Sequence, residues 1–341
     1  MNQTPEQIID WPAPAVNALG DSHIDFLRIL KNPTWITVKG KDASRSRAIV
    51  TLLHGNEPSG LKAVHDFLKS GEQPATNLGI FVASVNAALD PPILSQRFLP
   101  GEEDLNRCFN PPVNTHQRAL AKNLLQQLRD FAPEAIVDTH NTSGRSLPFA
   151  VSICADTLSR QLTQVFTHRL VVIDQALGTL MEQREMNCPV VTIEFGGFTD
   201  PDADALATKS LYSFISTDQL FSGESMPLQI LRNPLRLEID RRTTLHYSSM
   251  KQSAADITLF DTIDQMNFSR LKPGTALGWI TAKGLAGLNV LNAKGEDLAS
   301  VFFTEENGLL ITLKTITLFM ATTDPDAAHQ DCLLYLTSEY K

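Results

Sequence analysis

The sequence predicts an α/β fold: a mixed, mostly parallel sheet flanked by helices, followed by a smaller β-rich module. Three observations carry this. Strand-like and helix-like segments alternate over the first two-thirds of the 341 residues. Several strand segments are apolar throughout rather than alternating, as expected when both faces of a sheet are covered. After about Ser225, short strands follow one another between turn signals, with little helical periodicity.

In chain order, Trp35–Gly40 and Arg47–Leu53 read as strands, and the second runs straight into His54-Gly55-Asn56-Glu57. Beyond Pro58, which suits a first helical turn, Leu61, Val64, Phe67 and Leu68 recur at helical spacing. Leu78–Asn86 reads as a buried strand. Thr115–Phe131 reads as a helix with Leu120, Leu124, Leu125 and Leu128 on one face. Ala135–Thr139 is a short apolar strand ending at His140. Leu147–Ile153, Leu170–Ile173 and Pro189–Phe195 are further strands, and Asp204–Phe221 is a closing helix. In the last third, Leu235–Ile239, Thr275–Ile280, Leu288–Leu291 and Leu309–Thr317 are strands punctuated by Pro273-Gly274, Lys283-Gly284, Lys294-Gly295 and Asn307-Gly308. The expected division is a catalytic domain over 1–225 and a β-rich domain over 226–341.

Lys+Arg 29 against Asp+Glu 38 gives a formal charge of −9, which argues against nucleic acid and anionic lipid as partners. Apolar runs are too short for a membrane span, and no basic-then-apolar leader opens the chain. The four cysteines form no CxxC pair, so free thiols and a cytoplasmic setting are expected. Homo-oligomerisation is left open.

The sharpest local signal is His54 and Glu57, three apart where a strand gives way to a helix. Loops beyond strand carboxyl ends are where open α/β sheets build their sites. An imidazole and a carboxylate suit one Zn²⁺, and His140 at the end of a second strand supplies a third ligand. A fourth position then remains for water, as catalysis requires. Asp138, two residues before His140 on the same strand face, is placed to accept from the ligand imidazole. Glu194 closes an apolar strand, where an ionisable group is costly unless used, paired or solvated. The remaining histidines lack metal-type partners nearby, and Cys108 reads as a structural thiol.

Four motifs in order carry a family resemblance: His54-Gly55-Asn56-Glu57, Asp104-Leu105-Asn106-Arg107, Asp138-Thr139-His140-Asn141-Thr142 and Thr192-Ile193-Glu194-Phe195-Gly196. Together they resemble the aspartoacylase and succinylglutamate desuccinylase family, a branch of the zinc carboxypeptidase-like hydrolases. The resemblance implies one Zn²⁺ per chain on His54, Glu57 and His140, with Glu194 as the catalytic glutamate. It implies that Arg97 polarises the scissile carbonyl and that Asn106 and Arg107 grip the α-carboxylate of the amino acid. Arg184, ten positions before Glu194, corresponds to an arginine that contacts a substrate carboxylate. Asn141 joins the substrate-binding set, and Asp104 and Asn141 are expected to orient these groups.

With two imidazoles, one carboxylate, three arginines and Glu194, the pocket is expected to be cationic and to favour a small anionic N-acyl amino acid. Aspartoacylases also place a tyrosine from the C-terminal module over the substrate. The corresponding stretch here, near Glu305–Ile311, has none, and Tyr247 is a candidate substitute in the same module. The expected activity is therefore zinc-dependent hydrolysis of a small acidic N-acyl amino acid. A carboxypeptidase-like peptidase and a catalytically silent zinc-binding protein are the alternatives.

Overall fold

The structure, a computed structural model, describes residues 7–223, 226–292, 295–330 and 332–338. Nine strands form one sheet: β1 (Ile9–Pro12), β2 (Thr34–Val38), β3 (Asp42–Thr51), β4 (Thr76–Val82), β5 (Ile136–Thr142), β6 (Phe149–Ser152), β7 (Arg169–Val172), β8 (Val190–Gly197) and β9 (Gln229–Arg232). Their order is β1-β2-β4-β3-β5-β8-β6-β7-β9. The pairs β1/β2, β3/β4, β3/β5 and β6/β7 are parallel, whereas β2/β4 and β6/β8 are antiparallel. The sheet is thus mixed and mostly parallel, as its uninterrupted apolar strands require.

Six helices accompany it: α1 (His23–Leu30), α2 (Ser59–Ser70), α3 (Val85–Leu89), α4 (His116–Phe131), α5 (Thr157–Gln164) and α6 (Pro201–Ser216). Their ends follow local chemistry. Ser22, Thr115, Asp156 and Asp200 cap N-termini through their side chains, and Gly71 closes α2 in the left-handed region at φ 68°. Leu61, Val64, Phe67 and Leu68 of α2 join Ile49, Val137, Ile193 and Phe214 in one apolar core. Burying each such side chain contributes about 1.5–3 kcal/mol.

Several expected boundaries move: β3 starts at Asp42 rather than Arg47, β5 runs on through His140 to Thr142, and two further shifts have a local cause. The strand beginning near Leu78 stops at Val82, because Val85 opens a short helix. The closing helix starts at Pro201 rather than Asp204 and stops at Ser216, with Pro201 tolerated in the first turn where no N–H is needed.

The chain divides into two compact units: residues up to Asn141 with Pro148–Ile230, and Thr142–Leu147 with Leu231 onward. The division expected from sequence fell after Ser225, which lies outside the described residues. The second unit holds β10 (Leu235–Ile239), β11 (Leu245–Tyr247), β12 (Ile257–Leu259), β13 (Arg270–Leu271), β14 (Ala276–Ile280), β15 (Leu288–Leu291), β16 (Phe303–Glu306), β17 (Leu309–Thr312), β18 (Ile316–Phe319) and β19 (Leu334–Ser338). They form two five-stranded sheets, β13-β18-β19-β10-β15 and β11-β12-β14-β17-β16. Asn307-Gly308 turns β16 into β17, both residues at positive φ. The expected single strand over Leu309–Thr317 is two strands in different sheets. Lys283-Gly284 lies inside a short helix, Ala282–Ala286, rather than a turn, and Lys294 of the Lys294-Gly295 signal lies outside the described residues.

Candidate metal centre and active site

β3 delivers His54 through a constrained turn. Leu52 is fully buried at φ 60°, a conformation costly for a leucine. Gly55 lies so close to other backbone that an added Cβ would stand 2.6 Å from the Gln96 carbonyl oxygen and 2.7 Å from the Ala88 nitrogen. Only glycine fits there. The Gly55 N–H donates to the Arg97 carbonyl at 2.9 Å, so the same turn positions the Arg97 segment. Glu57 completes the turn and α2 follows.

His54, Glu57 and His140 are all buried and offer ligand atoms within 4.8 Å of one another. His54 Nδ1 lies 2.9 Å from Glu57 Oε1, and His140 Nδ1 lies 2.6 Å from Glu57 Oε2. The opposite ring nitrogens face carboxylates: His54 Nε2 is 2.9 Å from Asp104 Oδ1, and His140 Nε2 is 2.9 Å from Asp138 Oδ2. This geometry is a test of whether a metal ion fits. A carboxylate only accepts, so Asp104 and Asp138 call for N–H at each Nε2. Both Nδ1 atoms of neutral rings then turn lone pairs toward the oxygens of Glu57. In that tautomer four electron-rich atoms face one another; without a metal a proton on an imidazole relieves them, and this cluster could bind a metal ion in its place.

The electrostatics of the bare site agree. Burial alone would raise Glu57, but His54 and His140 outweigh it and hold its carboxyl far below the usual carboxylate range. Burial would lower His140, yet Asp138 and Glu57 hold it well above the usual histidine value. Asp104 is likewise held low despite burial, by His54 first and then by Arg97 and Arg107. The negative charge around the imidazoles exceeds what two neutral rings require.

Glu194 lies on β8 opposite Phe149 of β6. Its Oε2 is buried and has no hydrogen-bond partner among the described residues. Burial pushes this carboxyl up to about 7; Glu57 adds to the rise, while His140, His54 and Arg97 oppose it. Those named neighbours place Glu194 within electrostatic reach of the cluster.

The structure brings most of the other expected residues to the same place. Arg97 bridges Asp104, through Nε at 3.2 Å and Nη2 at 2.9 Å to Oδ2, and Glu57, through Nη1 at 3.3 Å to Oε1. Asn106 is buried, with Nδ2 3.3 Å from His140 Nε2 and Oδ1 accepting from the Leu180 N–H at 3.3 Å. Arg107 is exposed and donates to the Asn106 carbonyl at 2.8 Å. Asn141 has both amide hydrogens engaged inside the protein, on Ser59 Oγ and the Gly196 carbonyl. That arrangement suits an orienting residue better than a substrate contact.

Arg184 is the exception. It is exposed and lines a cavity of about 360 Å³ with Ser152, Cys154, Asp156, Ser159, Cys188 and Val190. Val190 begins β8, whereas Glu194 lies toward its other end, so Arg184 is grouped with the strand end away from the cluster. The expectation of a strongly cationic pocket also needs correction. Counting a divalent ion with Arg97 and Arg107, four positive charges meet the four carboxylates of Glu57, Asp104, Asp138 and Glu194; the sequence reading placed Asp104 and Asp138 at the site but did not count their charge. Tyr247 packs against the core of the second unit, its hydroxyl buried and unpartnered among the described residues. Cys108 is a buried thiol pushed up to about 11 by burial, the inert state expected of it.

Sequence reasoning missed Ser59 and Asp204, which hydrogen-bond at 2.7 Å. Ser59 is two residues past Glu57, but nothing local could have paired it with an aspartate 145 positions away.

The description of the succinylglutamate desuccinylase/aspartoacylase catalytic domain matches residues 44–214. The chain belongs to this family. That match spans all four motifs and stops near the end of α6. No curated protein matches the chain. Among solved structures, it is similar to a succinylglutamate desuccinylase/aspartoacylase of Rhodobacter sphaeroides at 15% identity and TM-score 0.58, covering 89% of this chain and 88% of that one. It is similar to succinylglutamate desuccinylase of Vibrio cholerae at 18% identity and TM-score 0.54, covering 94% and 96%. The ectoine utilization protein EutE of Ruegeria pomeroyi follows at 16% identity and TM-score 0.53, covering 83% and 82%. At such identities these neighbours show the fold, which for this family is a mixed α/β sheet with a C-terminal β-rich region.

Proposed function

We propose that this chain is a zinc-dependent amidohydrolase that cleaves the amide of a small, carboxylate-bearing N-acyl amino acid, with Glu194 as general base. One observation carries the reading: His54, Glu57 and His140 converge on one point, with the buried, unpartnered Oε2 of Glu194 in electrostatic reach. Two imidazoles and one carboxylate match the ligand count of catalytic zinc, which leaves a position open. The family match supports deacylation as the reaction class. The neighbour from Vibrio cholerae is named for removal of a succinyl group from an amino acid.

Bound Zn²⁺ would supply Lewis acidity to the scissile carbonyl and to water. Glu194 would accept a proton from the attacking water as the C–O bond forms and return it to the amide nitrogen as the C–N bond breaks. A carboxyl raised toward neutrality suits both transfers. Arg97, paired but partly exposed, would face the negative charge that develops on the carbonyl oxygen. Arg107 would bind the amino acid's carboxylate, its planar guanidinium giving two parallel hydrogen bonds. Preference for an anion then rests on Arg107 rather than on net charge. All these residues belong to the first unit, to which we assign catalysis.

A panel of N-acyl amino acids and short peptides, assayed with zinc-loaded protein, tests the proposal. Release of free amino acid from acidic N-acyl substrates is expected. Turnover confined to peptides would sink it.

A further inference from the structure

Behind the metal-site cluster runs a chain of hydrogen bonds that none of the expected site roles uses. Asn141 is its hub. Its backbone N–H donates to Glu57 Oε2 at 3.2 Å. Its side-chain Nδ2 donates to Ser59 Oγ at 2.8 Å and to the Gly196 carbonyl at 3.0 Å, and its Oδ1 accepts from the Ser59 N–H at 3.0 Å. Ser59 Oγ donates to Asp204 Oδ1 at 2.7 Å, and Lys62 Nζ donates to Asp204 Oδ2 at 2.7 Å. Ser59 is wholly buried and Asn141 nearly so, while the side chains of Asp204 and Lys62 keep about a third or less of their exposure.

We infer that Asp204 and Ser59, on facing helices α6 and α2, are positioning residues that fix Asn141, and through it both the metal-binding carboxylate of Glu57 and the end of the strand that carries Glu194.

The polarity of the chain makes the case. The Asp204 carboxylate can only accept, so the Ser59 hydroxyl must point its hydrogen there. Its lone pairs then face Asn141, which forces Nδ2 rather than Oδ1 toward Ser59 Oγ. That polarity agrees with the backbone, because the Ser59 N–H on Oδ1 and the Gly196 carbonyl on Nδ2 require the same flip, and the hydroxyl adds a third restraint on the amide. With the side chain locked, the Asn141 backbone N–H is held on Glu57 Oε2. Asp204 thus restrains, from α6 and through the Ser59 hydroxyl, a group buried beside the cluster. The packing that allows this is close: a Cβ on Gly60 would stand 2.0 Å from Thr139 Oγ1 and 2.7 Å from Thr51 Oγ1, so the first turn of α2 lies directly on β3 and β5. Lys62 anchors Asp204 in place at the surface end.

The Glu57 half of this inference needs only a metal at the cluster; the Glu194 half rests on the proposed reaction. The variants are Ser59→Ala, Asp204→Ala, the double variant and Lys62→Met, each measured for zinc dissociation constant by chelator competition, for melting temperature without metal, and for kcat and KM. Loss of a group that orients a ligand typically weakens metal binding or activity about 10–100-fold. Ser59→Ala and Asp204→Ala are each expected to weaken zinc binding within that range, and the double variant no more than Ser59→Ala alone, because one hydrogen bond serves both. KM is expected to hold while kcat falls, since no substrate contact is removed. Lys62→Met, which leaves the Ser59–Asp204 bond, is expected to change zinc affinity by under about threefold.

Parental zinc affinity in Ser59→Ala and in Asp204→Ala would overturn the inference, as would additive effects in the double variant. Asp204 is partly exposed on its helix, so its variant keeps the test open if Ser59→Ala does not fold. The affinity readout decides the matter even if no acyl amino acid is turned over, which separates this inference from the proposed function. A parent protein that binds no zinc would overturn both.

Discussion

The cluster of His54, Glu57 and His140 and the three arginines expected beside it are built to different standards. Every ligand side chain in the cluster is buried, and both ring nitrogens of each imidazole have a carboxylate in contact. Of the arginines, Arg97 is ion-paired but partly exposed, Arg107 is exposed and donates to its neighbour's carbonyl, and Arg184 is exposed and lines a cavity with Ser152 and Val190. The difference teaches where rigidity is needed. Converging like-charged and lone-pair-bearing atoms is unstable unless the surroundings fix them, whereas a long guanidinium can find a substrate carboxylate after it arrives. On the proposed function, the first arrangement would decide whether chemistry occurs, and the second on what.

The largest effect that would break this contrast is loss of a ligand. His140→Ala leaves Glu57 with one imidazole and Asp138 buried without its ring partner, so zinc content near zero and activity at background are expected from metal analysis and turnover assays. Full activity without metal would refute the cluster's role.

Glu194→Gln comes next. It is expected to keep zinc and to lose about 10²–10⁴-fold in kcat, the span of general base catalysis. The pH dependence has a definite sign. Glu194 in the folded, metal-free chain sits up near 7, above its unfolded value, so the folded state holds a proton that the unfolded state has released. Its stabilising contribution is full below the unfolded pKa and is lost as pH rises through about 7. Melting curves of metal-free protein should therefore show Glu194→Gln gaining stability over the parent at pH 8 compared with pH 5. A constant difference across that range would mean that the Glu194 carboxyl is not buried as described.

The smallest effects distinguish the arginines from one another. Arg107→Ala should raise KM about 10-fold or more for a carboxylate-bearing substrate, consistent with a lost charge-assisted pair, and leave kcat less affected. Arg184→Ala should change KM by under about threefold, as for surface substitutions away from a site. Reversal of the two would return Arg184 to the substrate and relocate the specificity element to the loop before β8.

How legible the protein was from its sequence follows the range of the forces involved. The strands before His54 and around His140, the helix after Pro58 and the turn at Asn307-Gly308 were readable because apolar period, proline and glycine act locally. Edges erred where a short element interrupted the pattern, as at Val85–Leu89, or where Leu309–Thr317 broke between two sheets. The candidate ligands were readable because His54 and Glu57 follow β3 in a short motif and His140 lies near the end of β5 beside another. Asp104 and Asp138 were both recognised as orienting residues, but neither was weighed in the pocket's charge. Counting arginines without their carboxylates therefore overstated the field.

By itself, the sequence determined the fold class, the family and the three residues that could hold a metal, since periodicity and motif order are properties of the chain alone. No helix among the described residues is long and apolar enough to cross a membrane, a conclusion the composition had already allowed. Only the tertiary structure decided that Arg97 is tied to Asp104 and Glu57, that Arg184 stands apart, and that Asp204 of α6 reaches Asn141 through Ser59. These depend on which helix faces packed together and which side chains ended without water. Such contacts join residues as much as 145 positions apart, as between Ser59 and Asp204, and no local pattern encodes them.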